Sequence, residues 1–248
     1  MDDYLNIYSE LTNPTRIQIL MWIGEEPQAL SDIATHFSIS KPEISRHLSR
    51  MKNVGLVMQE ASTRKYHPSA LGITYLQLFS PIEFVLKHSF YFTNHYLDLP
   101  PHLLRNIDAL INAELIEDLG NVLAKIQELL DETRDEVQLM LDQRLPVVGL
   151  KDKVRYGSYI FPSTMSEAQV ESGKQYLKSM YEDVEVRQVA SVTHILMITD
   201  KKKGFISFPT LENKADWASI WVVTDKQGLE YLQDIWDYFI SLGKLYEI

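Results

Sequence analysis

Two short amphipathic segments joined by a tight turn stand out in the hydrophobic pattern of residues 30–50. In the first, residues 31–37, apolar side chains recur at helical spacing. In the second, Ile44, Leu48 and Met51 recur at the spacing of a single stripe, and such a stripe is buried against its neighbours. The pattern therefore predicts a helix, a turn and a second helix that is capped by the hydroxyl of Ser40 and packs by one face.

The opposite face of the second helix is polar and basic. Residues 40–52 contain four Lys or Arg residues and one acid, Glu43. Arginine can pair with a guanine edge or with a phosphate, and short serine side chains permit a close approach to the major groove. This spacing predicts the recognition helix of a helix-turn-helix, with an ordinary helical hairpin and a solvated charged face as the alternative. The predicted DNA-contacting residues of this helix are Ser40, Lys41, Ser45, Arg46, His47, Ser49 and Arg50.

Elements on either side extend the motif. Asn13 and Pro14 begin a preceding helix, and Arg16 in its first turn is predicted to reach phosphate. After the recognition helix, residues 56–58 and 65–67 predict two strands joined by a polar turn, which together form a wing. A solvated hairpin tip is the alternative reading of the turn. The wing residues predicted to contact the DNA backbone or minor groove are Thr63, Arg64 and Lys65.

The turn-forming and helix-breaking residues of the chain predict that it has three parts. Residues 1–80 form a winged helix-turn-helix DNA-binding domain that opens on an amphipathic lead-in over residues 4–11, and its last helix is expected to break at Ser80–Pro81. Residues 81–98, apolar on two sides, are a linker or dimerisation helix, or a buried helix of the next domain. Residues 99–248 alternate helices with β-rich runs. The fold class is thus an α+β winged helix followed by a larger α/β domain with a mixed sheet, as a sensor or assembly domain.

Composition removes several classes of chemistry. The 248 residues contain no cysteine, so disulfides, zinc fingers and thiolate catalysis are excluded, and no cofactor or metal site is expected. The net charge of −10 lies mostly in the second part, because residues 1–80 contain seven Lys or Arg against eight Asp or Glu. No window approaches the roughly 18 apolar residues of a membrane span. We expect a cytoplasmic protein without a membrane partner.

The amino-terminal residues resemble a known family. The runs LTNPTRIQILMWI and ALSDIATHFSISKPEISRHLSRMKNVGLV, followed by a short wing, resemble the ArsR-like winged helices over residues 11–68. The resemblance implies a DNA-binding transcriptional regulator. The cysteines by which metal-sensing members bind their metal are absent, so metal sensing does not carry over.

The second half resembles a regulatory domain of archaea. The runs SFYFTNHYLDLPPHLLRNIDALINAELIED and KADWASIWVVTDKQGLEYLQDIWDYFI are similar to the domain named for a methanogenesis regulatory protein. This resemblance implies an archaeal, cytoplasmic regulator whose carboxyl-terminal domain senses a signal or mediates assembly. The more distant TrmB-like regulators join a similar amino-terminal module to a domain related to phospholipase D, which raises an enzymatic alternative.

The chain lacks the residues of that enzyme. Phospholipase D chemistry needs a histidine two residues before a lysine, and no histidine here has that neighbour. We expect no enzyme, and hence a phospholipase-D-like domain without its catalytic motif. A homodimeric regulator bound to double-stranded DNA is the primary hypothesis, with a nucleic-acid-processing enzyme and a ligand-independent assembly adaptor as alternatives. Ser163 and Thr164, between a strand and a helix, are the predicted contacts of a small-molecule effector.

Overall fold

The computed structural model describes residues 7, 9–143 and 154–246, apart from the side chains of residues 167 and 174. The chain divides into two compact units, Met1–Ile82 and Glu83–Ile248. Of the predicted lead-in over residues 4–11, residues 4–6 and 8 lie outside the described residues.

The first unit has the predicted order of helices and strands. Asn13 caps the first helix by accepting a hydrogen bond from the amide of Arg16 at 3.1 Å. Pro14 is tolerated in the first turn because a backbone N–H at that position would have no acceptor within the helix. Val57 lies opposite Pro68 in the antiparallel wing. The elements are α1 (Pro14–Glu25), α2 (Leu30–Phe37), α3 (Lys41–Asn53), β1 (Val57–Gln59) and β2 (Tyr66–Pro68).

One apolar cluster holds these elements together. Ile19 and Ile23 from α1, Ile33 from α2, and Ile44 and Leu48 from α3 are at most 1% exposed and belong to the same cluster. Burying side chains of this size contributes about 1.5 to 3 kcal/mol each, so the helical pattern read from the sequence supplies the main stabilisation of the unit.

The next helix, α4, is continuous over Ala70–Lys87 and contains Pro81. The predicted break at Ser80–Pro81 is therefore wrong. A proline inside a helix removes one hydrogen bond, and its ring clashes with a carbonyl of the preceding turn. Its fixed φ is nevertheless compatible with helical backbone. Apolar residues beyond it continue the helical pattern, and Phe84 is fully buried.

Helix α4 lies in direct contact with the base of the wing. Its first turn is capped by Ser69, whose hydroxyl accepts the amide of Gly72 at 3.1 Å. A β-carbon at Gly72 would lie 2.3 Å from the carbonyl oxygen of Leu56 and 3.1 Å from Cβ of Pro68. Only glycine therefore permits this approach of helix to strand.

The second unit contains the remaining elements. They are α5 (Ser89–Phe92), α6 (Pro101–Leu104), a 3₁₀ turn (Ile107–Leu110), β3 (Glu114–Glu117), α7 (Leu119–Glu132), β4 (Glu136–Met140), β5 (Val154–Pro162), α8 (Glu167–Met180), β6 (Tyr181–Val189), β7 (Ile195–Thr199), β8 (Lys203–Ser207), β9 (Ser219–Val223), α9 (Lys226–Leu242) and β10 (Lys244–Leu245).

Eight strands of this unit form one mixed sheet. Their order is β10-β6-β5-β4-β7-β8-β9-β3, in which β5 pairs in parallel with both β4 and β6, and the other pairs are antiparallel. The predicted fold class, a winged helix followed by a larger α/β domain with a mixed sheet, is confirmed. Strand β8 was not predicted from the sequence.

Both faces of the sheet are buried. Along β7, Leu196 and Ile198 belong to one apolar cluster, whereas Ile195 and Met197 belong to another. Helix α9 packs in the first cluster and α7 in the second. Phe84 and Tyr91 are also buried in the first cluster, so the segment predicted as a linker or dimerisation helix over residues 81–98 folds largely into the second unit.

Candidate nucleic-acid interface

Helix α3 buries the predicted stripe. Ile44 is fully buried, and Leu48 and Met51 are each 1% exposed. Before the helix, Ser38 adopts a left-handed conformation with φ of 54°, and its amide donates to the carbonyl of Thr35 at 3.2 Å. This left-handed residue ends α2 and sets the turn between the two helices.

Ser40 occupies the N-cap position of α3 but differs from the prediction in one respect. Its carbonyl accepts the amides of Glu43 and Ile44 at 3.0 Å each. Its side chain makes no capping hydrogen bond, so the predicted hydroxyl cap is wrong, and the side chain is exposed.

The outward face of α3 carries the predicted polar side chains. Ser45, Ser49 and Lys41 are exposed, and the side chain of Arg46 is 70% exposed. Nη2 of Arg46 lies 3.8 Å from Oε1 of Glu43, which is a weak surface ion pair in water. The guanidinium of Arg46 is therefore accessible to a ligand.

Arg50 differs from Arg46 because it is bound on one side. Its Nε donates to both carboxylate oxygens of Glu10 at 3.1 Å, and its Nη2 donates to Oε1 at 2.7 Å. The hydrogen bond to Glu10 raises the pKa of Arg50. Its side chain is nevertheless 52% exposed, so half of it remains open to solvent.

Arg16 does not reach the surface. It is 6% exposed, its Nε lies 2.8 Å from Oε2 of Glu10, and its Nη2 donates to the carbonyl of Ser9 at 3.1 Å. Burial lowers the pKa of Arg16, and the charge of Glu10 opposes that effect. The predicted phosphate contact of Arg16 is therefore wrong, since its guanidinium is satisfied inside the unit.

Glu10 was not among the predicted site residues. It is 7% exposed and contacts both Arg16 and Arg50. In the sequence, Glu10 stands out only as the one acidic residue of the amphipathic lead-in over residues 4–11. Its partners are six and 40 residues further along the chain, beyond the reach of helical periodicity.

His47, one of the predicted DNA-contacting residues, is half-buried between Arg46 and Leu48. Burial lowers its pKa, and the charge of Arg16 lowers it further. Its Nδ1 is buried and has no hydrogen-bond partner within the described part of the chain. Both effects on the pKa favour the neutral form of His47.

The turn of the wing is ordered by its own hydrogen bonds. The amide of Glu60 donates to the carbonyl of Lys65 at 2.9 Å, and Gln59 Nε2 donates to the carbonyl of Arg64 at 3.0 Å. The hydroxyl of Thr63 donates to the carboxylate of Glu60. The structure brings Thr63, Arg64 and Lys65 together as an exposed tip, with Arg64 at a left-handed φ of 57°.

The predicted effector residues lie at the carboxyl end of β5. Both are exposed, and the amide of Ser163 already donates to the carbonyl of Val189 at 2.7 Å. Ser166 caps α8 through a capping box with Gln169, so part of the helix terminus is satisfied within the chain. The effector contacts of Ser163 and Thr164 stay a prediction.

The described residues also bear on metal binding and membrane insertion. Among residues 7, 9–143 and 154–246, no three or more His, Asp or Glu side chains are grouped so that they could hold a metal ion. Within the same residues, no helix combines the length and apolarity needed to cross a bilayer.

Comparisons with known proteins point to the first unit. Residues 13–58 match the family model described as bacterial regulatory protein, arsR family. A segment of 52 residues is 38% identical to the transcriptional repressor SdpR of Bacillus subtilis, and this match covers 21% of the chain and 58% of SdpR. The chain thus spans little more than half the length of that relative. The predicted ArsR-like helix-turn-helix is confirmed for the matched residues.

Solved structures with some similarity cover both units. The archaeal chromatin protein TrmBL2, described as having a novel mode of DNA binding, matches 94% of this chain and 92% of its own at 14% identity and a TM-score of 0.41. The phospholipase D family member Nuc of Salmonella typhimurium matches 55% of this chain and 98% of its own at 10% identity and a TM-score of 0.40. The homodimeric winged-helix domain of Mb0332 from Mycobacterium bovis matches 35% of this chain and 80% of its own, at 27% identity and a TM-score of 0.31.

Proposed function

We propose that this protein is a sequence-specific DNA-binding transcriptional regulator whose helix α3 enters the major groove. The observation that carries the proposal is the division of α3 into a buried apolar face and an exposed face bearing Ser45, Arg46 and Ser49. The match of residues 13–58 to the arsR family supports it.

The exposed side chains differ in the contacts they would make. The terminal fork of Arg46 fits either a guanine edge or a phosphate, and the hydroxyls of Ser45 and Ser49 are short enough to let the helix lie deep in the groove. Lys41 and Ser40 at the start of α3 lie where a helix meets the backbone. The tip of the wing, Thr63, Arg64 and Lys65, would contact the backbone or the minor groove.

The acidic net charge does not oppose this role. The charge of −10 is concentrated after residue 80, and salt screens exposed charges beyond about 8 Å at physiological ionic strength. The cations of α3 and the wing therefore dominate at the interface. We expect moderate affinity that falls steeply as salt rises.

Replacing Arg46 by alanine should weaken binding to a selected operator by about 1 to 3 kcal/mol, because a charged fork that contacts the groove is lost. The operator is obtained by selection from random DNA, and affinity is measured by fluorescence anisotropy. Arg105→Ala, which removes an exposed arginine of the second unit, is the matched control and should bind as the wild type does. Equal affinity of wild type and Arg46→Ala for all sequences would contradict direct readout by this residue.

We also propose that the regulator acts as a homodimer. Leu71, Leu78 and Ile82 of α4 fall within one helical stripe and are 45%, 61% and 54% exposed. A second copy would bury this stripe across a two-fold axis. Two α3 helices would then lie in successive major grooves, about 34 Å apart.

Leu78→Glu is therefore expected to shift the protein from dimer to monomer in sedimentation-velocity experiments, because a carboxylate would be buried in the interface. The affinity of this variant for the operator should fall in parallel, since each monomer would bind a single half-site without its partner. Gln77→Glu, which adds the same charge on another face of α4, serves as the control and should remain dimeric. A dimer that withstands Leu78→Glu would place the interface elsewhere.

The second unit is proposed to sense an effector or to mediate assembly. A ligand that binds the folded unit stabilises it according to its concentration relative to Kd. Thermal-shift measurements on the full chain against a panel of metabolites would separate these roles, because a pure assembly domain shows no saturable shift with any of them.

A further inference from the structure

The contact between Glu10 and Arg50 occupies a defined part of the guanidinium. Glu10 accepts from Nε at 3.1 Å and from Nη2 at 2.7 Å, which are the donors along one edge of the planar group. Nη1 and the second hydrogen of Nη2 form the terminal edge. Glu10 therefore holds one edge of Arg50 and leaves the terminal pair of donors for a second acceptor.

Burial makes Glu10 a rigid support. Its side chain is 9% exposed, whereas that of Arg50 is 52% exposed. Arg16 holds the same carboxylate from inside, with Nε 2.8 Å from Oε2. The carboxylate is thus fixed between a buried and a half-exposed cation, and the long side chain of Arg50 is restrained before any ligand arrives.

We propose that Glu10 is a positioning residue that fixes Arg50 so that its terminal edge reads a guanine in the major groove. This inference rests on the proposed function. Guanine presents two acceptors, O6 and N7, that match a pair of parallel N–H donors. A side chain ordered in advance loses less freedom when it binds, so the support of Glu10 would raise affinity for the correct base.

The test uses the full chain and operators that carry 7-deazaguanine, which lacks the N7 acceptor, at one guanine at a time. For the wild type, one guanine in each half-site should show a loss of affinity of roughly tenfold. For Glu10→Gln, the same substitution should cost less than about threefold, because Arg50 is no longer held. A structural role of Glu10 alone would lower affinity for every operator without changing this base-specific difference.

Arg50→Lys is the second variant, and it leaves the buried pair of Glu10 and Arg16 in place. It keeps the charge of residue 50 but removes the fork, so it should retain non-specific affinity and lose sensitivity to 7-deazaguanine. If circular dichroism shows that Glu10→Gln has unfolded, Glu10→Asp, which keeps the charge but shortens the side chain that holds Arg50, takes its place in the same measurement. A wild-type penalty retained in folded Glu10→Gln would overturn the positioning role of Glu10, and a penalty retained in Arg50→Lys would show that the fork of Arg50 does not read the guanine; either result overturns the inference. Absence of any sequence preference in the wild type would instead refute the proposed function, and the inference with it.

Discussion

Replacing Leu48 by alanine is expected to lower the free energy of unfolding of the first unit by about 2 to 5 kcal/mol. Leu48 is 1% exposed and lies in the middle of the buried stripe of α3. Its truncation removes apolar contacts to the helices on which α3 rests and leaves a cavity. Hydrogen-exchange mass spectrometry of peptides from residues 14–53 would report the loss for this unit separately from the other.

The matched control lies in the same helix. Arg46→Ala removes an exposed side chain and should change the stability of the unit by less than about 0.5 kcal/mol. Loss of operator binding in Leu48→Ala would then follow from opening of α3, whereas loss in Arg46→Ala would follow from the missing contact. Equal protection of the α3 amides in wild type and Leu48→Ala would contradict the packing described for this helix.

Acidification is expected to destabilise the second unit through His194. This side chain is fully buried between the rings of Phe208 and Phe239, and burial lowers its pKa to about 4. The ordinary value is about 6.5, so between pH 6.5 and 4 the unfolded chain binds a proton that the folded unit does not. The free energy of unfolding therefore decreases by about 3 kcal/mol in total as the pH is lowered from 6.5 to 4. His194 adds no further loss below pH 4.

The effect can be measured by urea unfolding followed through tryptophan fluorescence, since three of the four tryptophans lie in the second unit. His194→Leu, of similar volume, should flatten the dependence of stability on pH between 4 and 6.5. Thr193→Val removes only the hydroxyl that lies 3.2 Å from Nδ1 of His194 and should keep the slope. An unchanged slope in His194→Leu would show that other groups cause the acid sensitivity.

Another histidine acts with the opposite sign above this window. Burial disfavours the charged form of His95, but hydrogen bonds to Asp216 and to the carbonyl of Tyr91 outweigh burial and raise its pKa. The contribution of His95 to the free energy of unfolding is fully present below pH 6.5. It is lost as the pH rises through the pKa that His95 has in the folded state. Taken by themselves, these two histidines favour the folded unit most near pH 6.5.

Helical periodicity explains why α3 could be predicted residue by residue. Ile44, Leu48 and Met51 repeat at the period of an α-helix, so the buried face and hence the exposed face follow from spacing alone. The partners of Arg16 and Arg50 do not follow. Arg16 and Arg50 carry the same charge, yet Arg16 is buried and Arg50 is half-exposed. The carboxylate of Glu10 binds both, and periodicity does not indicate such a contact between segments that are far apart in the sequence.

The larger unit was predicted in its helices and most of its strands, but not throughout. Strand β8 begins with a lysine and a glycine, which are uncommon in strands, so its local sequence gave no clear signal. The glycine is required by packing. A β-carbon at Gly204 would lie 2.6 Å from the carbonyl oxygen of Met197 on the neighbouring strand.

The close approach at Gly72 has a consequence for engineering this protein. Any β-carbon there would push against the backbone of Leu56 at the root of β1, so Gly72 sets the spacing between α4 and the wing. A chimera that receives a wing from another regulator must therefore keep glycine at position 72 to preserve that spacing. In a library of variants, alanine at this position would be accepted only where the wing or α4 shifts to relieve the 2.3 Å contact.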